Sequence, residues 1–109
     1  MVKYDVLRKL GLSKTSAACY EQLYKHGAAT AAQLAEQLNL PRTGLYRIMA
    51  GLETKGFVHA VKTTAQPTYY YAEQVDTALS NMTVYHKHLA ADLIKQQREA
   101  MRRQNPDLL

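Results

Sequence analysis

Cysteine is nearly absent: Cys19 is the only one in 109 residues. A single thiol excludes an intrachain disulfide and any zinc site built on several cysteines. It stands in an apolar helical stretch, where a cysteine packs as a small hydrophobe. Long apolar runs are missing as well. None approaches the roughly 18 residues of a membrane span, and the charged N-terminus lacks the core of a signal peptide, so a cytoplasmic protein without membrane contact is expected. The usual catalytic groupings are also missing. No Ser or Cys nucleophile stands beside a positioned base, no carboxylates pair at a convincing spacing, and no glycine-rich phosphate loop occurs. An enzyme is not expected, and neither is a cofactor. His86 and His88 share one helical stretch but point about 200° apart, while His26 and His59 have no carboxylate or cysteine at ligand spacing. No metal is expected.

Acidic charge is scarce in one part of the chain only. The 14 basic and nine acidic residues leave a net charge of +5. Up to Ala72 there are nine Lys/Arg against four Asp/Glu, and from Glu73 onward five of each, so the whole surplus belongs to the first part. A basic domain with a neutral extension suits a polyanion for the one and a protein partner for the other. Residues 1–73 are read as the domain, 74–104 as a long helix and 105–109 as a tail. The first segment is near the lower size for a comfortable single core, so pairing with another subunit would help it.

What is present begins with helices. Residues 2–10 read as a short opening helix stopped by Gly11, with Val2, Val6 and Leu10 on one face and Leu7 beside it. Ser13 caps a longer helix to about His26, with Ala17, Tyr20, Leu23 and Tyr24 inward and Gly27 as its stop. Thr30 and Gln33 form a capping box, each side chain satisfying the other's backbone N–H. Ala31, Leu34, Ala35 and Leu38 then recur at helical spacing. Asn39 is a left-handed terminator, and Pro41 is pre-set for the first position of the next helix. The three or four residues between Leu38 and Pro41 are the turn length of a helix-turn-helix.

The helix after Pro41 has two unlike sides. Leu45, Ile48, Met49 and Leu52 share a narrow apolar face. Thr43, Arg47, Ala50 and Thr54 lie opposite, with Arg42 and Tyr46 on a flank, and Lys55-Gly56 ends the helix. Such a rod holds to its domain by one side and can meet phosphates and base edges with the other. The bland alternative is a surface helix with a solvated polar face.

After Gly56 the periodicity changes. Phe57–Lys62 and Thr68–Ala72 are extended in character, and Thr63-Thr64-Ala65-Gln66-Pro67 between them is polar and closed by proline. Three helices and a hairpin within about 70 residues define a mainly α, α+β winged helix-turn-helix with a two-stranded β-wing. Lys62, Thr63, Thr64 and Gln66 at the tip are candidate phosphate contacts. The three consecutive tyrosines read as a half-buried strand, with stacking on bases as the less favoured alternative.

Glycine and proline are absent from Gln74 to Gln104, and Asn105-Pro106 marks a stop. A helix of about 30 residues reaches roughly 45 Å at 1.5 Å per residue. Leu79, Met82, His86, Leu89, Leu93, Gln96 and Ala100 alternate at steps of four and three, and Tyr85, Ala90, Ile94 and Met101 broaden the stripe. This is an impure coiled-coil seam. Its apolar side has nothing left in its own chain to cover it, which predicts a homodimer, parallel or antiparallel.

Taken together, the motifs resemble the N-terminal domain of the TrmB-type transcriptional regulators over roughly residues 5 to 80. The matching elements are Leu-Gly-Leu-Ser (Leu10–Ser13), Ala17 with Tyr20, Gly-x-Ala-Thr (Gly27–Thr30) and Leu34-Ala35. Pro-Arg-x-x-x-Tyr (Pro41, Arg42, Tyr46) and Leu-Glu-x-Lys-Gly (Leu52–Gly56) complete the set. The resemblance implies sequence-specific binding of double-stranded DNA as a dimer, with Arg42, Thr43, Tyr46 and Arg47 presented by the recognition helix. Three residues depart from the pattern. Gly44 replaces a larger polar or basic side chain and costs about 1 kcal/mol of helix propensity relative to Ala, as does Gly51. His26 stands where an apolar residue is usual. Family members commonly continue into a sugar-binding effector domain, so the chain is expected to be a fragment or a short regulator without that sensor.

The expected function is a dimeric, DNA-binding transcriptional regulator, with repression by promoter occlusion as the default. The rival is a winged helix used as a protein-interaction module without direct DNA binding. That rival calls for an apolar exposed face on the third helix, whereas Thr43, Arg47 and Thr54 are polar.

Overall fold

The computed structural model describes residues 4–104 and Asp107. Val2 of the expected opening helix lies outside the described residues, as does most of the expected tail. The elements run α1 (Tyr4–Lys9), α2 (Lys14–His26), β1 (Ala29–Thr30), α3 (Ala31–Leu38), α4 (Arg42–Thr54), β2 (Val58–Val61), β3 (Tyr69–Ala72) and α5 (Val75–Gln104).

Local chemistry accounts for most boundaries. The Ser13 hydroxyl accepts from the backbone N–H of Ser16 and starts α2. Thr30 and Gln33 complete both halves of the capping box, at 3.1 and 2.9 Å. Asn39 ends α3 in the left-handed region at φ 54°. Pro41 stands one residue earlier than expected: it is the N-cap of α4, with φ −63° and ψ 130°, and helical geometry begins at Arg42. A fixed proline φ suits either place, and the extended ψ decides it.

The hairpin is as expected, and a third strand adds to it. The antiparallel sheet has the order β1-β3-β2, with Thr30 and Val61 flanking Tyr69, and Ala29 and Ala60 flanking Tyr70. Strand β1 has only two residues, too few to show a period of two in the sequence. Thr30 thus closes a strand and opens a helix at once.

The core lies where α2, α3, α4 and the inner face of the sheet meet. Tyr20, Phe57, Leu34, Leu45, Met49, Leu52, Val58 and Cys19 are its largest fully buried side chains. Tyr20 packs edge-on against Phe57, with ring centroids 5.3 Å apart. Its hydroxyl donates to the Glu73 carbonyl at 2.7 Å, which satisfies the polar end of an otherwise apolar side chain. In α1 Leu7 is buried and Val6 is 51% exposed. One inward assignment is corrected: in α2 Tyr24 is 39% exposed, because Tyr20 takes the core position one turn earlier and Tyr24 packs beside its ring at 6.0 Å.

Helix α5 begins against the domain and then leaves it. Ala78 and Met82 are buried, and Tyr85 is half-buried with its ring 6.0 Å from the Lys55 ammonium. Beyond Tyr85 the described residues are exposed apart from Ala100. The molecule is accordingly elongated, 57 × 33 × 23 Å.

Candidate nucleic-acid interface

Helix α4 divides as its sequence pattern requires. Leu45, Met49 and Leu52 are buried and Ile48 is half-buried, which fixes the rod to the domain. Arg42, Thr43, Gly44, Tyr46, Arg47, Ala50 and Thr54 are exposed. Arg42 and Tyr46, one turn apart, are joined by a 3.3 Å hydrogen bond from the guanidinium Nε to the phenol oxygen. This holds Arg42 along the flank of the helix, whereas Arg47 projects from the outward face. The Thr54 hydroxyl is turned back to the Ala50 carbonyl at 3.0 Å, so its hydrogen is engaged within the helix. Pro41 supplies no side-chain cap, and the first N–H groups of α4 end at the surface.

The wing brings a second element to the same place. A groove of about 360 Å³ is lined by Thr30, Ala31, Ala32, Arg42, Tyr46, Pro67, Thr68 and Tyr70. Three starts therefore converge on it: that of α3, that of α4 and that of β3. Tyr70 reaches the groove from the inner face of the sheet. Burial raises its hydroxyl above the ordinary phenol value, and Glu53 and Tyr46 add to the rise.

Lys62, Thr63, Thr64 and Gln66 are all exposed at the tip between β2 and β3. They do not line the groove; Pro67 and Thr68 do. Sequence pattern missed this role for Thr68 and Tyr70, because which end of a hairpin faces a helix depends on sheet packing. It missed a second link too. His59 Nε2 lies 3.3 Å from Glu73 Oε1, and the imidazole stacks on Tyr71 at 5.1 Å. The pair ties the wing to the residues that lead into α5.

The residues expected at a subunit seam divide into two groups. Leu79, His86, Leu89, Leu93 and Ile94 are exposed, and Leu93 reaches 65%. Met82 is buried within its own domain, and Tyr85 is partly covered there. Among the described residues, no group of three or more His, Cys, Asp or Glu side chains is placed to hold a metal ion. None of the described helices is long and apolar enough to cross a membrane.

A capped helix-turn-helix with a β-wing and an exposed polar face on α4 defines the winged-helix class. Solved structures share this fold. One is a transcriptional regulator with TM-score 0.70 and 14% identity, over 95% of this chain and 74% of that one. A second is a possible transcriptional regulator from Methanosarcina mazei, with TM-score 0.60, 15% identity and coverages of 87% and 85%. A third is TrmBL2, an archaeal chromatin protein whose structure is described as showing a novel mode of DNA binding. It has TM-score 0.64 and 22% identity over 96% of this chain, which spans 42% of TrmBL2. No curated protein matches the sequence. The family model described as sugar-specific transcriptional regulator TrmB matches residues 7–76, and the chain belongs to that family.

Proposed function

We propose that the protein is a sequence-specific double-stranded DNA-binding regulator that acts as a homodimer and represses by occluding promoters. The observation that carries this reading is the exposed face of α4, where Thr43 and Arg47 project to solvent and Arg42 and Tyr46 border the wing. A helix so displayed, anchored by Leu45, Met49 and Leu52, can enter a major groove without moving its own core.

Roles within the face follow from position. Arg47, opposite the buried stripe, reads a base; a bidentate contact with guanine contributes about 1–3 kcal/mol of discrimination. Arg42, held at the helix start by Tyr46, grips the backbone together with the uncapped N–H groups of α4. Lys62, Thr63, Thr64 and Gln66 meet flanking phosphates from the wing. Leu79, Leu89, Leu93 and Ile94, with His86 among them, form the subunit contact. Met82 and Tyr85 support it from inside the domain. Exposure of leucines and an isoleucine on a helix that has left its domain favours a second copy as their cover.

Enrichment of duplexes from a random pool tests the reading. A shared motif should emerge, and Arg47→Ala should lose its preference for that motif while keeping most of its affinity for random duplex. Equal weakening on both would remove Arg47 from base reading, and the absence of any enriched motif would remove sequence specificity altogether.

A further inference from the structure

Counted from Glu73, the C-terminal part is charge-neutral, but the structure divides it unequally. Glu73 and Asp76 lie where α5 still touches the domain. The projecting residues 86–104 hold Lys87, Lys95, Arg98, Arg102 and Arg103 against Asp92 and Glu99. The cations are also sorted by face. At about 100° per residue, Lys87, Lys95, Arg98 and Arg102 fall within a sector of roughly 80°, with Val84 and Ala91 between them. Asp92 and Glu99 lie on the flank beyond Lys95. The apolar stripe of Leu89, Leu93, Ile94 and Met101 is centred roughly 130° away, with Ile94 at the edge nearest the ridge, so pairing centred on Leu89 and Leu93 leaves Lys95, Arg98 and Arg102 open to solvent.

The ridge has two further properties. All four of its cations are exposed, and none is ion-paired among the described residues. Lys95, Arg98 and Arg102 line one shallow groove with Ala91, Ile94 and the single acid Glu99. Toward the domain the same side of α5 continues through His88 and Val84. These border a crevice with Thr54 and Lys55 at the end of α4. The basic side of α5 is therefore continuous with the C-terminal end of the recognition helix. Lys87 to Arg102 spans about 22 Å, a length of duplex that carries roughly a dozen phosphates.

We infer that this ridge is a second DNA contact, a sequence-independent cradle for the phosphate backbone of duplex flanking the site read by α4. The inference rests on the DNA-binding reading above. Four unpaired cations in a row on one side of a projecting helix match the spacing and sign of a polyphosphate backbone. An apolar protein partner is matched by the other side.

The test measures binding to a 30-base-pair random-sequence duplex across a salt series. It compares the wild-type chain, a Lys95→Gln/Arg98→Gln/Arg102→Gln variant, an Arg98→Lys/Arg102→Lys variant and Arg47→Ala. The glutamine variant should lower the slope of log affinity against log salt by about 2 to 3, since each phosphate contact contributes about 0.9. At low salt it should bind at least tenfold more weakly. The lysine variant should keep the wild-type slope, and Arg47→Ala should keep most of it. Sedimentation should find the glutamine variant in the wild-type oligomeric state. A wild-type slope in the glutamine variant overturns the inference and leaves the α4 reading intact. No binding of wild-type protein to any duplex overturns both. A change of oligomeric state in the glutamine variant overturns the cradle by making the ridge a subunit contact. An unchanged DNA slope with ridge-dependent binding to phosphatidylserine vesicles overturns it in favour of a membrane surface.

Discussion

The side-chain amide of Asn81 donates a 2.9 Å hydrogen bond to the carbonyl of Gly56, joining α5 to the turn that ends α4. Gly56 adopts φ +81°, and a Cβ added there would fall within the Asn81 side chain. The contact needs glycine twice over, for its backbone angle and for its lack of a side chain. Through it, the helix that carries the proposed subunit contact is fixed against the helix that faces outward.

Gly56→Ala should therefore destabilise the fold by about 2–4 kcal/mol, combining left-handed strain with displacement of Asn81. Asn81→Ala alone should cost about 1 kcal/mol for the lost hydrogen bond. The double variant should be more stable than the sum of the two predicts, because the new methyl then has room. Urea unfolding of the four proteins measures the coupling, and strict additivity would deny the contact.

Gly44→Ala should act in the opposite direction. Nothing lies within 4 Å of a Cβ at that position, and the residue is inside α4 with ordinary helical geometry. Stability should rise by up to about 1 kcal/mol. A loss on urea unfolding would mean that α4 needs flexibility at its start.

Two substitutions in α5 should separate core from seam. Met82→Ala should cost about 2–4 kcal/mol of domain stability, since Met82 packs in the buried cluster. Leu93→Glu should leave the monomer folded and shift the proposed dimer to monomers in sedimentation equilibrium, because Leu93 is 65% exposed in its own chain. Retention of the dimer by Leu93→Glu would remove this stripe from the contact.

Alkaline pH should weaken the fold through two buried groups. Burial pushes the Cys19 thiol up to about 11 from 9.0. It pushes the Tyr20 hydroxyl up to about 12 from 10.0, with Tyr24 and Glu73 adding to the rise. Both groups stay neutral in the folded chain after the unfolded chain has begun to ionise them. Their contribution is complete below pH 9 and is lost as pH rises through 9 to 12. Urea midpoints at pH 8, 10 and 11 should fall in that order, and Cys19→Ala should flatten the first part of the decline. Equal midpoints would contradict the burial of both groups.

Arg42 and Arg47 should behave differently. Arg42→Ala should weaken binding to all duplexes alike and reduce the salt slope by about 1. Tyr46→Phe should reproduce part of that effect, since the phenol oxygen accepts from Arg42 at 3.3 Å. Anisotropy titrations at several salt concentrations provide both numbers, and a sequence-dependent loss with Arg42→Ala would exchange the two arginines' roles.

Much of the fold was legible because local chemistry set it. The Thr30–Gln33 box and Asn39 at positive φ each act over one or two turns, and the run from Val75 to Gln104 holds no glycine or proline to break a helix. The apolar face of α4 was legible for the same reason. Long-range placement was not. Strand β1 forms only because Tyr69 and Tyr70 return beside it, and Thr68 reaches the α4 groove only through that pairing. Met82 reads as a seam residue by spacing, yet Asn81 and Gly56 bring its turn of α5 against the domain. Val6 and Leu7 are both apolar in sequence, and only the packing of α1 against α2 makes Leu7 the buried one.

Amide chemical shifts followed by NMR during titration with duplex DNA would locate the interface residue by residue. The account predicts the largest changes at Arg42–Arg47 and along Lys62–Thr68, with the buried residues of α2 little affected. Saturable binding that leaves Arg42–Arg47 unmoved would contradict it.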